Sequence, residues 1–201
     1  MKKFITLFAA SVLAAALTVS AAAADLRHTV VPGDTMWKLA VQYHVGTSEI
    51  ITANPQIANP NLIYPGQILT IPQLSDAVAS YEAEVIRLVN EIRAENGLGA
   101  LAANWELSRV ARYKSEDMSK NRYFSHTSPT YGTPFQMIRS FGLSYRTAGE
   151  NIAYGQRTPA AVVDAWMNSS GHRANILNAS YTQIGVGYCA SGSYWTQMFI
   201  G

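Results

Sequence analysis

The sequence predicts an α+β protein, in which a small β-α-α-β module precedes a larger domain of helices and strands. Two patterns support this prediction. Residues 26–72 place two apolar helical faces between two runs of branched residues, and residues 81–201 place four amphipathic helices before two strand-like runs. Periodic apolar spacing distinguishes helix from strand, and helices followed by paired strands favour an α+β or layered α-β-α domain.

The first 24 residues have the pattern of a secretory signal peptide. Lys2 and Lys3 precede an uncharged apolar run from Phe4 to Val19, and small residues follow up to Ala24. The run is shorter than the ~20 residues that span hydrocarbon, so cleavage after Ala24 is predicted in preference to an uncleaved anchor. No later segment is apolar enough to span a bilayer, so the predicted location is extracellular or cell-wall-associated.

Charge and cysteine content exclude a nucleic-acid-binding protein and a disulfide-stabilised domain. The chain has 15 basic and 13 acidic residues, and loss of Lys2 and Lys3 with the signal peptide leaves a net charge of zero. Nucleic-acid binding, which needs clustered positive charge, is therefore not expected. Cys189 is the single cysteine, so no intramolecular disulfide can form and an apolar core must provide the stability. Its period-2 surroundings predict a packed strand residue.

The first module begins with a predicted strand at His28–Val31 and ends with another at Ile68–Ile71. Thr47 is predicted to cap the second helix, which buries Ile50 and Ile51. The first helix has one apolar face, made of Met36, Leu39, Ala40 and Tyr43.

Two strings in this module resemble a LysM domain from end to end. They are H-T-V-V-P-G-D-T-M-W-K-L-A and N-P-Q-I-A-N-P-N-L-I-Y-P-G-Q-I-L-T-I-P. The resemblance implies a groove for N-acetylglucosamine polymers, in peptidoglycan or chitin, between the first turn and the loop before the last strand. The residues that it places there are Gly33, Asp34, Thr35, Met36, Asn61, Leu62, Ile63 and Tyr64. For each residue taken singly, turn formation or core packing is the alternative role.

The larger domain follows a linker predicted over residues 73–80. Its first helix ends near Asn96, and Asn104 caps the second. Two more helices are predicted to start at Thr133-Pro134 and Thr158-Pro159, because a cap residue followed by proline is a helix-start signal. Two strands are predicted at 184–190 and 194–200.

Further strings resemble the CAP superfamily of cysteine-rich secretory, antigen-five and pathogenesis-related proteins, in its bacterial, disulfide-free branch. They are L-V-N-E-I-R-A-E-N-G-L, F-S-H, A-G-E-N-I-A, A-W-M-N-S-S-G-H-R-A-N-I-L, I-G-V-G-Y and Y-W-T-Q-M-F. They cover nearly all of residues 81–201. The resemblance implies an α-β-α sandwich with a cleft.

In many eukaryotic members this cleft holds two histidines and two glutamates that bind a divalent metal. His126 in F-S-H and Glu150 in G-E-N match one residue of each kind. Ser169 stands at the second glutamate position, and residues 193–197 lack the second histidine. The four-residue set is therefore incomplete, and His172 in S-G-H-R is the remaining candidate.

Three interpretations of His126, Glu150 and His172 remain open. They could form a two-histidine, one-carboxylate site for a metal such as zinc, with an open position for water. His126 held by Glu150 could instead act as a metal-free acid/base pair. The residues could also form a hydrogen-bonded cleft that only shapes the fold. Ser169 and Ser170 are better explained by a helix end and turn than by a nucleophile, and Trp166, Trp195 and Phe199 by core packing.

Two function classes follow from the two resemblances. In the first, the LysM-like module localises an enzyme that acts on wall material. In the second, a non-catalytic domain binds a ligand or partner while the module anchors it to the wall. Lipid or sterol binding, known in the wider family, has no distinctive support in this sequence.

Overall fold

The structure, a computed structural model, describes residues 25–201. The predicted signal peptide and its cleavage after Ala24 lie outside the described residues. Within residues 25–201, no helix combines the length and apolar character that crossing a membrane requires.

The first module has the predicted β-α-α-β order. Its elements are β1 (Leu26–Thr29), α1 (Met36–Tyr43), α2 (Thr47–Ala53) and β2 (Ile68–Ile71). The two strands pair antiparallel. The buried core consists of Val30, Met36, Leu39, Ala40, Ile50, Leu69 and Ile71.

Three details of this module differ from the sequence prediction. The first strand lies two residues earlier than predicted, because β1 pairs Leu26 with Ile71 and the chain then turns. Thr47 is the first helical residue, and Gly46 occupies the cap position without a side-chain bond. Ile51 is exposed, because a helix of seven residues buries only one narrow face, occupied by Ile50.

The linker is shorter than predicted, because residues 76–80 are helical. Helix α3 spans Asp76–Glu95 and begins at Ser75, whose hydroxyl accepts a hydrogen bond from the Val78 amide. Asp76 in the first turn complements the helix dipole, and no Gly or Pro interrupts residues 76–80. Only residues 72–75 therefore connect the module to the first helix of the larger domain.

The remaining elements are β3 (Ala102–Ala103), α4 (Trp105–Asn121), α5 (Pro134–Ser140), β4 (Ala148–Tyr154), α6 (Pro159–Met167), α7 (Ser170–Ile176), β5 (Gln183–Cys189) and β6 (Tyr194–Ile200). Together with α3, they confirm the four predicted helices, and they add the helix α7 and the strands β3 and β4. Asn104, Thr133 and Thr158 each accept a bond from a backbone amide in the first turn of their helix. The segment 168–171, predicted to be a helix end and turn, instead leads directly into α7.

A four-stranded sheet with the order β3-β5-β6-β4 forms the middle layer. Strands β5 and β6 make the predicted antiparallel hairpin, and β4 extends it antiparallel to β6. Helix α4 packs on one face, where a Cβ on Gly185 or Gly187 would lie 2.0–2.3 Å from α4 backbone atoms. Helices α3, α6 and α7 cover the other face, where they enclose Trp166, Trp195 and Phe199 in the core. The α-β-α sandwich implied by the resemblance is therefore present.

The two units contact each other through α2 and α4. Arg109 donates to both carboxylate oxygens of Glu49, at 2.5 and 2.8 Å, and to the Ser48 hydroxyl at 3.0 Å. The rings of His44 and Trp105 stack beside this pair, with centroids 5.3 Å apart.

Candidate functional site

The fold brings His126 and Glu150 together from positions 24 residues apart. Glu150 lies in the edge strand β4, and His126 lies in the segment that follows α4. His126 Nδ1 is 2.7 Å from Glu150 Oε1. The imidazole is 54% exposed, whereas the carboxylate is 2% exposed. The pair therefore presents a solvent-facing ring supported by a buried acid.

Burial is the dominant influence on Glu150. It raises the pKa of this carboxyl above its usual value, while the hydrogen bond to His126 and the charge of Lys114 act in the opposite direction. The second oxygen, Oε2, is buried and has no hydrogen-bond partner within the described residues. Carboxylates with raised pKa values and free oxygen atoms are common where proton transfer occurs.

A buried lysine that the sequence analysis did not select holds the His126 segment in place. Lys114 Nζ donates to the carbonyl oxygens of Ser125 and His126, at 2.7 and 3.0 Å, and to the Tyr123 hydroxyl at 3.0 Å. Burial lowers the pKa of Lys114, and Glu150 and Asp117 oppose that shift. A lysine within the apolar stripe of α4 was the signal that could have identified it.

Asp117, one turn further along α4, fixes the rest of this segment. Its carboxylate accepts hydrogen bonds of 2.5–2.7 Å from the side chains of Asn121, Tyr123, Ser128 and Thr130. Burial alone would raise the pKa of Asp117, but these bonds outweigh it and hold the pKa below its usual value. The loop that carries His126 is thus tied to α4 at several points.

His172 lies in the first turn of α7, and its side chain makes no hydrogen bond to His126 or Glu150 in the part of the chain described. Its backbone oxygen accepts a bond from Asn151 at 3.1 Å. Burial, followed by the nearby His126, lowers the pKa of His172. Within residues 25–201, no three His, Cys, Asp or Glu side chains are placed to hold a metal ion. The donors present therefore do not fit the proposed zinc site.

The other candidates of the larger domain are structural. Ser169 is the cap residue of α7 and Ser170 its first residue, and within residues 25–201 neither side chain has a hydrogen bond to His126 or Glu150. Cys189 ends strand β5 and is half-buried. Trp166, Trp195 and Phe199 are buried in the core, so they are not exposed walls of a cleft.

In the first turn of the small module, the polar side chains already make hydrogen bonds within the module. Asp34 accepts from the Val31 amide and contacts His28 Nε2, which together hold the pKa of Asp34 below its usual value. Thr35 caps α1, and Met36 is buried. Gly33 adopts a φ of 94°, a conformation that glycine tolerates.

The second loop is more open. Asn61, Leu62 and Tyr64 are exposed, whereas Ile63 packs partly against the module's core. Trp37 on α1, which the sequence analysis passed over, is also exposed, and its side chain is available to a ligand.

Comparisons with known proteins agree with this division of the chain. The sequence model of the CAP, or cysteine-rich secretory protein, family matches residues 86–199. The chain belongs to this family. The LysM domain model matches residues 28–72, so the chain carries a LysM domain followed by a CAP domain.

The relatives include two Bacillus subtilis proteins that match the CAP domain. The uncharacterised protein YkwD is 57% identical over 132 residues, which are 66% of this chain and 51% of YkwD. The uncharacterised membrane protein YlbC is 37% identical over 144 residues, 69% of this chain and 41% of YlbC. The chain thus spans about half the length of the curated relatives it matches.

A solved structure supports the CAP fold. An extracellular protein with an SCP domain from Bacillus anthracis is 35% identical and has a TM-score of 0.60, covering 68% of this chain and 47% of that protein. Together with the LysM domain, this similarity indicates a cell-wall-associated or extracellular role.

Proposed function

We propose that this protein is exported, is retained on peptidoglycan by its LysM domain, and hydrolyses wall material with its CAP domain. The observation that carries the catalytic part is the hydrogen bond between the exposed His126 ring and the buried Glu150 carboxyl. The signal-peptide pattern of residues 1–24 supports export.

Retention rests on the sugar chemistry of the LysM domain. LysM domains bind N-acetylglucosamine polymers, and the exposed Asn61, Leu62 and Tyr64 offer an amide and apolar surface to such a sugar. The LysM resemblance implies that the backbone at Gly33 and the side chains of Asp34 and Thr35 border the sugar groove. Because residues 25–201 contain one LysM domain, retention by it is reversible.

His126 supplies the acid/base chemistry. With Nδ1 held by Glu150, its other ring nitrogen faces solvent and accepts a proton from an attacking water, then returns that proton to the leaving group. The Glu150 carboxylate orients the ring and stabilises the imidazolium that forms. Glycoside hydrolysis generally uses two carboxylates, whereas Glu150 is the only one at this pair in the described residues. An amide of the peptide stem is therefore the preferred substrate bond.

A non-catalytic binding role is the second candidate, and a hydrogen-bond network behind the cleft favours it. Asn175 donates to Asn151 Oδ1 at 2.8 Å, and Asn151 donates to Gln197 Oε1 at 3.0 Å. Asn151 and Gln197 are buried and Asn175 is half-buried, and their amides join strand β4 to α7 and β6. A rigid strand beside His126 and Glu150 suits recognition of a ligand or partner without turnover.

The experiment incubates purified residues 25–201 with insoluble peptidoglycan and identifies soluble products by mass spectrometry. We expect muropeptides from the parent chain and none from His126→Ala or Glu150→Gln, with Glu95→Gln as an exposed carboxylate control. Protein that sediments with the wall without releasing products would overturn hydrolysis and support the binding role. Loss of sedimentation on Tyr64→Ala, but not on His126→Ala, would assign retention to the LysM domain.

A further inference from the structure

Three aromatic rings form a strip at the end of strand β4, in which Phe124 and Tyr154 are exposed and Tyr194 is half-buried. The Phe124 and Tyr154 ring centroids lie 4.8 Å apart, and those of Tyr154 and Tyr194 lie 5.8 Å apart with the rings near parallel, at 24°. Phe124 is 47% exposed and Tyr154 is 57% exposed. We call these three residues the aromatic strip. Its apolar ring area lies in water, and hydration of that area costs free energy that a ligand would recover.

The backbone that carries the three rings of the aromatic strip is fixed by strand pairing and hydrogen bonds. Tyr154 and Tyr194 are directly opposite each other in the β4–β6 ladder, and the Gly155 amide donates to the Ser193 carbonyl at 3.0 Å. Phe124 precedes Ser125, whose carbonyl oxygen is fixed by Lys114. The rings therefore need little ordering on binding, which favours affinity.

The strip continues into the His126–Glu150 site. Tyr154 follows Glu150 by four residues in one strand, so both side chains lie on the same sheet face, about 13 Å apart along it. Phe124 precedes His126 by two residues. An extended polymer that covers the strip therefore reaches the exposed His126 ring.

We infer that the aromatic strip is a subsite for the glycan of peptidoglycan, with sugar rings stacked on Tyr154 and Phe124. A pyranose presents C–H groups on its face and hydroxyl or acetamido groups at its edge, which match an aromatic face and a tyrosine hydroxyl. The LysM domain of the same chain selects this polymer as the occupant, because it would keep N-acetylglucosamine units near the strip. The inference rests on the proposed wall location but requires no catalysis.

The test titrates residues 25–201 with the β-1,4-linked tetrasaccharide of N-acetylglucosamine and follows the aromatic and amide NMR signals. Because the signals are assigned to residues, binding at the strip is separated from binding in the LysM groove. We expect shifts at Phe124, Tyr154 and Tyr194, and a fall of roughly tenfold in affinity at the strip for Tyr154→Ala. Phe135→Ala removes an equally exposed ring on α5 and should leave both sites unchanged.

The outcomes separate this inference from the proposed function. Strip shifts that persist in His126→Ala support the subsite even if that chain releases no muropeptides. Shifts confined to the LysM loops would overturn the subsite, and so would strip shifts that Tyr154→Ala does not weaken. Because circular dichroism reports folding of each variant, loss of fold cannot be mistaken for loss of binding.

Discussion

At the scale of single residues, the two buried charges of α4 determine where His126 lies. Lys114 is 1% exposed, yet its ammonium has three oxygen partners from the segment after the helix. Asp117 binds the same segment through its carboxylate. Buried charges are costly unless they are fully hydrogen-bonded. The hydrogen bonds of Lys114 and Asp117 offset that cost and hold the His126 segment in position.

Replacing Lys114 with methionine should free the His126 segment while leaving α4 intact. Two carbonyl oxygens lose a charged donor, so we expect the free energy of unfolding to fall by about 2 kcal/mol. Amide hydrogen exchange should accelerate in residues 122–128 more than in the sheet. Lys120→Met, an exposed change on the same helix, is the control, and equal exchange in both variants would contradict the positioning role.

Glu82 on α3 gives a prediction about pH. It accepts two hydrogen bonds of 3.0 Å from Arg112 and one from the Tyr188 amide, yet burial raises its pKa to about 7, from an ordinary value of 4.5. The folded chain therefore retains a proton between these pH values that the unfolded chain releases. The stabilisation from this proton is complete below about pH 4.5 and is lost as the pH rises through 7.

The measurement compares unfolding free energies of the parent and Glu82→Gln from pH 4.5 to 7.5. Because glutamine does not titrate, the parent should lose about 1–3 kcal/mol relative to the variant over this range. Glu95→Gln, which removes an exposed carboxylate, should follow the parent. A constant difference between parent and Glu82→Gln would show that Glu82 is ionised throughout.

At the scale of elements, local signals were predictable and long-range pairing was not. Asn104, Thr133-Pro134 and Thr158-Pro159 marked helix starts correctly, because a cap bond joins residues two or three positions apart. Strand β4 was missed, because Gly149, Glu150 and Asn151 are disfavoured in strands and are stabilised there by tertiary contacts such as pairing with β6. The length of the linker was overestimated, because residues 76–80 have little apolar periodicity. They form the first turns of α3, which Ser75 caps.

The close approach of α4 to the sheet depends on glycine. A Cβ at position 187 would lie 2.0 Å from the Arg112 nitrogen and 2.1 Å from the Ala111 carbonyl carbon. Gly187→Ala should therefore lower the free energy of unfolding by about 3 kcal/mol or more, measured by urea titration. Gly99→Ala, where no atom lies within 4 Å of the added carbon, should change it by about 0.5 kcal/mol at most. Similar losses in both would contradict the packing argument.

At the scale of the whole molecule, the ion pair between Glu49 and Arg109 connects the LysM and CAP domains. Burial alone would raise the pKa of Glu49, but the Arg109 and Ser48 hydrogen bonds outweigh it and keep the pKa below its usual value.

The candidate site in the CAP domain could be predicted in part, because motif resemblance selected His126 and Glu150. Their hydrogen bond, and the supporting Lys114, depend on tertiary packing that sequence spacing does not encode.

Arg109→Ala should uncouple the two domains. It removes the contacts to Glu49 and Ser48, so NMR relaxation should show a shorter rotational correlation time for the LysM domain than for the CAP domain. The stability of each domain should change by less than about 1 kcal/mol, because partly exposed ion pairs contribute little. Arg157→Ala is the exposed control. Equal correlation times for both domains of Arg109→Ala would contradict the coupling.

The proposed hydrolysis depends on water that His126 and Glu150 activate for attack on a wall bond. Its most direct test is mass spectrometry of muropeptides released in water labelled with heavy oxygen, with the parent, His126→Ala and Glu150→Gln compared at equal amounts of wall-bound protein. From the parent protein we expect one heavy oxygen in each new carboxyl end and none in the new amine end, and from either variant we expect no new products. Unlabelled products, or labelled products undiminished in both variants, would contradict the proposed hydrolysis.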